Sequence, residues 1–468
     1  MNELTINLNA ASKQPMYEQI YEYIKIEIQR GHIPSEEKLP STRALSKYLQ
    51  ISRSTVDLAY EQLVSEGYIE AVPCKGYFVN RIEGLHYLET LKEKEQVERK
   101  RPAEKYLVDF KTTGIDLDSF PYNTWRRLSK NVLLDGENDL FCMGDSKGEW
   151  ELRCTISNYL HQARGVNCEP EQIIVGAGSE YLLMLISRML GRRNIAMESP
   201  TYKQAYHILK SMEHKINMVS MDEAGICVEK LKETDSDVVY VMRSHQFPLG
   251  IVMPLKRRME LLSWASQKEE RYIIEDDYDS EFRYKGKPIP ALQGYDHNDK
   301  VIYLGTFSKS IAPAIRISYM VLPKPLLKVF EETCGFYSST VSRVDQTIVK
   351  NFVKEGYYER HLNKMRAIYK GKHDVLINEL KTFKSMCHIE GENAGVHMIL
   401  RIIDGRKEEE LIALAKSAGI RVYGISDYYI SQADRKETRL ILGYANLKEE
   451  EIIKACNILK KVWLQKRK

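Results

Sequence analysis

A chain of 468 residues with 43% hydrophobic and 29% charged side chains is too long for one core and has the balance of a globular protein of about two to four domains. Its net charge of +4 is too small to mark a polyanion partner by itself, so nucleic-acid binding has to be argued locally. No membrane span or signal peptide is expected, and the eight cysteines form no Cys-x-x-Cys pair and no paired histidine spacing, which argues against zinc and disulfide frameworks and for reduced thiols in a cytoplasmic protein.

From the start of the chain, Tyr17, Ile20, Tyr21, Ile24 and Ile28 share one helical face, and Gly31 and Pro34 stop that helix. Ser41 is placed to cap a second helix that buries Leu45 and Leu49. After the short turn Gln50-Ile51, Ser52 is placed to cap a third helix that turns Val56, Ala59, Tyr60, Leu63 and Val64 inward. Two short helices joined this tightly make a helix-turn-helix, whose second helix begins Ser52-Arg53-Ser54-Thr55 and offers the residue types that reach bases and phosphates in a major groove. Ile69–Val72 and Gly76–Val79 read as strands joined by Pro73-Cys74-Lys75, a wing with Lys75 at its tip. Residues 1–80 hold eight basic against ten acidic side chains; a helical protein-interaction module is the alternative, although DNA needs only a basic face, which Arg43, Arg53 and Lys75 can supply.

Residues 81–105 carry seven basic and six acidic side chains with few apolar ones, including Lys92-Glu93-Lys94-Glu95 and Arg99-Lys100-Arg101-Pro102, and read as a solvated linker.

From residue 106 on, apolar runs alternate with amphipathic helical segments: Ile173–Val175, Asn194–Met197, Val238–Val241, Tyr272–Ile274 and Val301–Leu304. That alternation predicts an α/β body with a mainly parallel sheet, whose ligands lie outside the carboxyl ends of the strands. Gly178-Ser179 after the first run would open a helix, whose free N–H groups suit a phosphate, though such turns also serve packing alone. Tyr202 offers a ring to stack on a flat molecule, and Ser244-His245-Gln246 supplies short polar groups. Glu275-Asp276-Asp277-Tyr278 puts carboxylates at a strand end, where one can hold a ring nitrogen protonated; a metal site or a solvated acidic turn are the alternatives. Thr306-Phe307-Ser308-Lys309, with Arg316 downstream, combines a lysine able to form a Schiff base with hydroxyls and a guanidinium suited to phosphate, which points to pyridoxal phosphate. Arg439 opens a late strand and could bind a carboxylate or form a surface salt bridge.

Residues 1–80 resemble the GntR-type winged helix, through Lys38-Leu39-Pro40-Ser41-x-Arg43, Ser52-Arg53-x-Thr55-Val56 and Glu66-Gly67-Tyr68-Ile69. The resemblance implies DNA contacts from Arg43, Ser52, Arg53, Ser54 and Thr55 and from the wing at Lys75 and Gly76. Residues 106–468 resemble a fold-type I aminotransferase with large and small subdomains, through Glu275-Asp276-Asp277-Tyr278, Thr306-Phe307-Ser308-Lys309 and Ser244-His245-Gln246. Together the two halves are similar to the MocR branch of GntR regulators, which includes GABA-responsive members. The resemblance implies that Lys309 carries pyridoxal phosphate as an internal aldimine, with Asp276 on the pyridine nitrogen, Tyr278 on the phenolic oxygen and Tyr202 stacked on the ring. Gly178, Ser179, Thr306, Ser308 and Arg316 would hold phosphate, His245 and Gln246 would complete the cofactor site, and Arg439 would take the carboxylate of an incoming amino acid. No metal is expected. A homodimer that binds double-stranded promoter repeats and an amino acid or amine effector follows by the same resemblance, with a working aminotransferase carrying an accessory domain as the alternative. Met242-Arg243 and Leu249 depart from the family's usual residues.

Overall fold

The computed structural model describes residues 6–9, 12, 14–81, 106–134, 138–284, 289–392, 394–431, 435 and 437–464, and the chain divides near residue 104 into two compact units. The linker proposed at 81–105 lies outside the described residues except for Arg81.

In the first unit, helices α1 (Met16–Gln29), α2 (Thr42–Leu49) and α3 (Arg53–Ser65) precede a hairpin of β1 (Ile69–Val72) and β2 (Gly76–Val79). Ser41 caps α2 by accepting the Ala44 N–H at 3.2 Å, and Ser52 caps α3 by accepting the Thr55 N–H at 3.3 Å, each satisfying a backbone donor that the helix leaves open. Ile20, Ile24, Val56, Ala59, Tyr60 and Leu63 are fully buried between the helices, whereas Val64, expected inward, is exposed, because next to Leu63 it is turned about 100° around α3 away from the core. Tyr60 anchors this small core twice, donating to the Pro40 carbonyl at 2.9 Å and meeting Tyr77 of the wing edge-on.

The second unit opens with β3 (Val108–Asp109), α4 (Tyr122–Leu134) and α5 (Trp150–Arg164). It then winds β4 (Ile173–Gly176), α6 (Ser179–Leu190), β5 (Asn194–Ser199), α7 (Lys203–Ser211), β6 (Lys215–Asp222), β7 (Gly225–Ile226), α8 (Val228–Lys232) and β8 (Val238–Val241). α9 (Leu255–Ser266), β9 (Tyr272–Asp277), β10 (Val301–Thr306) and β11 (Ser318–Val321) complete an eight-stranded sheet in the order β4-β11-β10-β9-β8-β5-β6-β7. The run β10-β9-β8-β5-β6 is parallel, while β11 is antiparallel to both its neighbours, so the sheet is mixed at its edges. The central strands are apolar and buried on both faces, as a parallel sheet covered by helices requires.

Helices α10 (Lys324–Thr333), α11 (Arg343–Lys354) and α12 (Tyr357–Leu380) lead to a second, antiparallel sheet. There β12 (Cys387–Glu390) and β13 (His397–Ile402) precede α13 (Glu408–Ser417), β14 (Ile420–Arg421), β15 (Tyr423–Gly424), β16 (Arg439–Gly443) and α14 (Glu449–Trp463). Its order is β12-β13-β16-β15, with β14 pairing instead with β3. This smaller layer has its own core around Leu400, Leu440, Leu442, Leu459 and Trp463.

Beneath the large sheet's carboxyl edge lies a cluster of buried charges. Arg243, fully buried, bonds Glu275 and reaches Asp277 at 3.3 Å. Arg164 of α5 reaches Asp277 at 3.7 Å and Glu281 at 3.2 Å, and Tyr303 donates to Asp277 at 2.8 Å. Burial alone would raise the Asp277 carboxyl, but the guanidinium groups of Arg243 and Arg164 outweigh it and hold Asp277 below the usual range. Deleting one partner of such a cluster strands the others. Arg243→Leu is expected to destabilise the second unit by about 3–5 kcal/mol in urea unfolding; a loss under about 1 kcal/mol would show that the cluster is not a structural constraint.

Candidate cofactor cavity and DNA-binding surface

A cavity of about 200 Å³ opens where the parallel strands and β4 end. The structure brings Gly178, Ser179, Tyr202, Asp276, Tyr278, Thr306, Ser308, Lys309 and Arg316 to its wall, from five separate stretches of chain. Lys309 leaves the end of β10 and donates from Nζ to the Thr112 carbonyl at 2.6 Å. Burial lowers its pKa to about 8, against a partly opposing pull from the Asp279 carboxylate.

Asp276 sits on the opposite face of β9 from Glu275 and Asp277, because successive side chains of a strand alternate. It accepts a hydrogen bond from Tyr240 of β8, and no arginine or lysine pairs with it among the described residues. Burial first, with the nearby Asp277 and Asp279 carboxylates, pushes its carboxyl up to about 7 in spite of the Tyr240 bond. Tyr202 follows β5 and meets Phe247 edge-on with ring centroids 5.9 Å apart; its phenol is pushed up to about 12, chiefly by burial.

At the other end, α6 begins on the cavity wall. Gly178 precedes it with φ of +97°, and a Cβ there would stand 2.2 Å from Nη2 of Arg316, so the backbone approaches the guanidinium as only glycine permits. Arg316 bonds Glu180 at 2.6 Å, Thr306 accepts from Ser318 at 2.8 Å and from the Ser308 N–H at 3.1 Å, and the buried Ser308 hydroxyl has no hydrogen-bond partner among the described residues. Helix N–H groups, two hydroxyls and a guanidinium thus converge as an anion site.

Three expected residues do not line this cavity. His245 lies behind it, with Nδ1 2.9 Å from Asp279 Oδ2 and 3.1 Å from the Tyr278 hydroxyl, and Gln246 donates to the Pro200 and Phe247 carbonyls at 3.0 and 2.8 Å. Arg439 lies in a separate cleft and forms the salt bridge that its sequence context also allowed: its Nε bonds Glu390 at 3.1 Å and its Nη2 bonds Glu437 at 2.5 Å. The register of the small sheet explains it. Arg401 and Arg439 are directly paired across β13 and β16, and both draw on Glu390 of the neighbouring β12, so the guanidinium is engaged within its own sheet. Sequence reasoning in turn missed Thr112, Glu180, Met242 and Phe247, which the cavity wall includes. Glu180 adjoins Ser179 and could have been found; Thr112 lies in an irregular stretch with no periodicity to flag it.

In the first unit, Arg43, Ser52, Arg53, Ser54, Lys75 and the partly exposed Thr55 and Gly76 all lie at the surface. Ser52 Oγ also bonds the Ser54 and Thr55 hydroxyls at 2.7 and 3.0 Å, which ties down the first turn of α3. Among the described residues Arg53 pairs with Asp57 at 3.4 Å at the surface, and such a pair is weak enough to be exchanged for a phosphate. Lys75 stands on the wing turn, where its N–H donates to the Val72 carbonyl at 3.0 Å.

Residues 16–79 match the family model of bacterial regulatory proteins, gntR family, and residues 118–459 match aminotransferase class I and II. Over 98% of its length the chain is 38% identical to an uncharacterized HTH-type transcriptional regulator, YdeL, of Bacillus subtilis, of which it covers 99%. It is 30% identical, over 96% of this chain and 94% of the relative, to the probable rhizopine catabolism regulatory protein MocR of Rhizobium meliloti. The chain belongs to the MocR-type HTH transcriptional regulators. The regulator is also 30% identical, over 91% of its length and 92% of the relative, to the pyridoxine biosynthesis transcriptional regulator PdxR of Corynebacterium glutamicum. Its fold is shared with a kynurenine aminotransferase of Pyrococcus horikoshii, at a TM-score of 0.68 and 23% identity over 82% of this chain and all of that one. The regulator is therefore a DNA-binding protein, and no helix among its described residues is long and apolar enough to cross a membrane.

Pyridoxal phosphate is the cofactor of the aminotransferase family, and the residues of this cavity fit it. The buried acid without a cation, the lysine of lowered pKa, the unpartnered Ser308 hydroxyl and the glycine-lined helix start each match a different part of that molecule. Gly178→Ala is expected to weaken pyridoxal phosphate binding at least tenfold in equilibrium dialysis, since the added methyl meets Arg316; unchanged affinity would remove the helix start from the phosphate site.

Proposed function

We propose that the regulator senses an amino acid or amine through pyridoxal phosphate held on Lys309 and alters its grip on promoter DNA in response. The observation that carries this reading is Asp276, a buried acid without a basic partner among the described residues, on the wall of the cavity that Lys309 also lines. In this reading Asp276 answers the pyridine nitrogen, Tyr278 the ring oxygen and Tyr202 the ring face, while Gly178, Ser179, Thr306, Ser308 and Arg316 take the phosphate. When bound, the cofactor supplies an electrophilic carbon that a primary amine can compete for with the lysine.

The chain's own groups are suited to such an exchange. Lys309, lowered to about 8, is neutral often enough near neutral pH to give up and take back its position, and the Thr112 carbonyl gives its free amine a place to dock. Asp276 can stay ionised once a cation lies against it, because a charge partner offsets the burial that raises it. Regulation requires that the effector bind two states of the body with different affinity, since equal affinity shifts nothing. We further propose residues 1–80 as the DNA reader, 81–105 as the connector, 106–468 as the sensing body, and a homodimer as the working unit in the cytoplasm. Arg43, Ser52, Arg53, Ser54, Thr55, Lys75 and Gly76 are proposed as the DNA contacts.

A working aminotransferase is the second reading, favoured by a site that keeps its lysine and its acid. Turnover of amino donors with a keto acid at ordinary enzyme rates, without any shift of upstream DNA, would decide for it. Lys309→Ala is expected to abolish the visible absorbance of the cofactor-loaded protein and the effector response while DNA binding persists in a mobility-shift assay. An unchanged spectrum would sink the cofactor assignment. Arg53→Ala should weaken DNA binding at least tenfold across related sites and flatten its salt dependence, with the spectrum intact; retained affinity would move the contact surface elsewhere.

A further inference from the structure

The His245 ring is 1% exposed and sits directly behind Tyr278. Its Nδ1 lies 2.9 Å from Oδ2 of Asp279, itself 1% exposed, and 3.1 Å from the Tyr278 hydroxyl. The ring is fixed in place: a Cβ at Gly395 would stand 1.9 Å from its Cε1, and the His397 ring lies against it with centroids 4.7 Å apart. His245 Nε2 and Asp279 Oδ1 have no hydrogen-bond partner among the described residues.

One ring nitrogen faces two oxygens, and the hydrogen can serve only one arrangement. A carboxylate accepts and cannot donate, so a hydrogen on Nδ1 is what Asp279 selects. With Nδ1 as donor it has no lone pair for Tyr278, and the phenol's own hydrogen cannot be spent on His245. Tyr278 lines the cavity, and burial together with the Asp279 and Asp276 carboxylates holds its phenol well above the usual value, so it remains a neutral donor; Asp279 is also within hydrogen-bonding reach of that hydroxyl and competes with the cavity for its hydrogen unless His245 serves the carboxylate instead. We infer that His245, locked by Asp279, is a positioning residue that keeps the Tyr278 hydroxyl turned into the cavity as a hydrogen-bond donor to the cofactor's ring oxygen.

This inference rests on the cofactor reading above, and it explains why His245 and Asp279 are buried together without touching the cavity. Asp279 has a second influence from the same place, since its charge is what opposes the lowering of Lys309. The groups around His245 that carry or can carry charge are Tyr278, Asp279, His397 and Lys309; burial and the neighbouring His245 and Lys309 hold His397 well below the usual imidazole value, so it stays neutral and does not compete for Asp279.

The test is the pH titration of the visible band of the pyridoxal-phosphate-loaded full chain. A donor at the ring oxygen disfavours a proton on the adjacent lysine nitrogen, so losing the donor raises the titration midpoint. Tyr278→Phe should raise it by about one pH unit, roughly a tenfold change in proton affinity. His245→Leu should raise it by a similar amount, because Tyr278 then turns its hydrogen to Asp279. His245→Asn restores an N–H near the Nδ1 position and should return the midpoint to within a few tenths of a unit of the wild type. The double variant Tyr278→Phe, His245→Leu should move no further than Tyr278→Phe alone. Where His245→Leu yields no folded protein, His245→Gln replaces it, since its amide nitrogen matches the Nε2 position and leaves Asp279 unserved. A His245→Leu or His245→Gln midpoint equal to the wild type, shifts that add in the double variant, or no rescue by asparagine would each overturn the inference. Failure of the underlying cofactor reading looks different, as a wild-type protein with no visible band for Lys309→Ala to remove.

Discussion

The pleat of β9 is the constraint on which the cavity depends. Glu275, Asp276 and Asp277 are three acids in a row at a buried strand end, and three carboxylates together in a low dielectric would be prohibitive. Alternation divides them. Glu275 and Asp277 turn to the side where Arg243 and Arg164 neutralise them, and Asp276 turns alone into the cavity. The cations that make the run affordable are thus also what leaves one acid unbalanced where a ligand binds. Arg243 stands at the centre of this division.

The two ends of the cavity follow different physics. At the ring end the groups are buried acids, phenols and a lysine, and their pKa values are displaced chiefly by loss of water. At the end proposed for the phosphate the donors are a helix start, hydroxyls and Arg316, where the field of oriented N–H groups favours an anion. Glu180 lies at this second end and already bonds Arg316, so in the proposed reading a phosphate would share that guanidinium with a resident carboxylate. The surface proposed to bind DNA is built on a third principle: capped helix starts and exposed cations on a small core, with no buried charge required.

Much of this was legible in the chain. The helix-turn-helix announced itself through helical periodicity and the serines that cap it, and Ser41 and Ser52 are indeed the caps. The five apolar runs expected as strands are strands, since a run buried on both faces needs no partner to be recognised. β11 escaped notice because an antiparallel return after the lysine loop has no helix before it to mark the alternation, and β6 because its burial is broken.

Sequence alone determined the fold class, the two-part organisation and the residue types of the cofactor chemistry, because periodicity, capping and the pairing of a lysine with hydroxyls and an acid are local properties. It could not say which of three adjacent acids faces the cavity, whether Arg439 is free, or that His245 stands behind Tyr278 rather than beside the ligand. Those depend on strand register and on partners more than thirty residues away, such as Arg243 for Glu275, Glu390 for Arg439 and Asp279 for His245. A side chain's charge is written in the sequence, but whether that charge is already spent is decided by what the tertiary fold places against it.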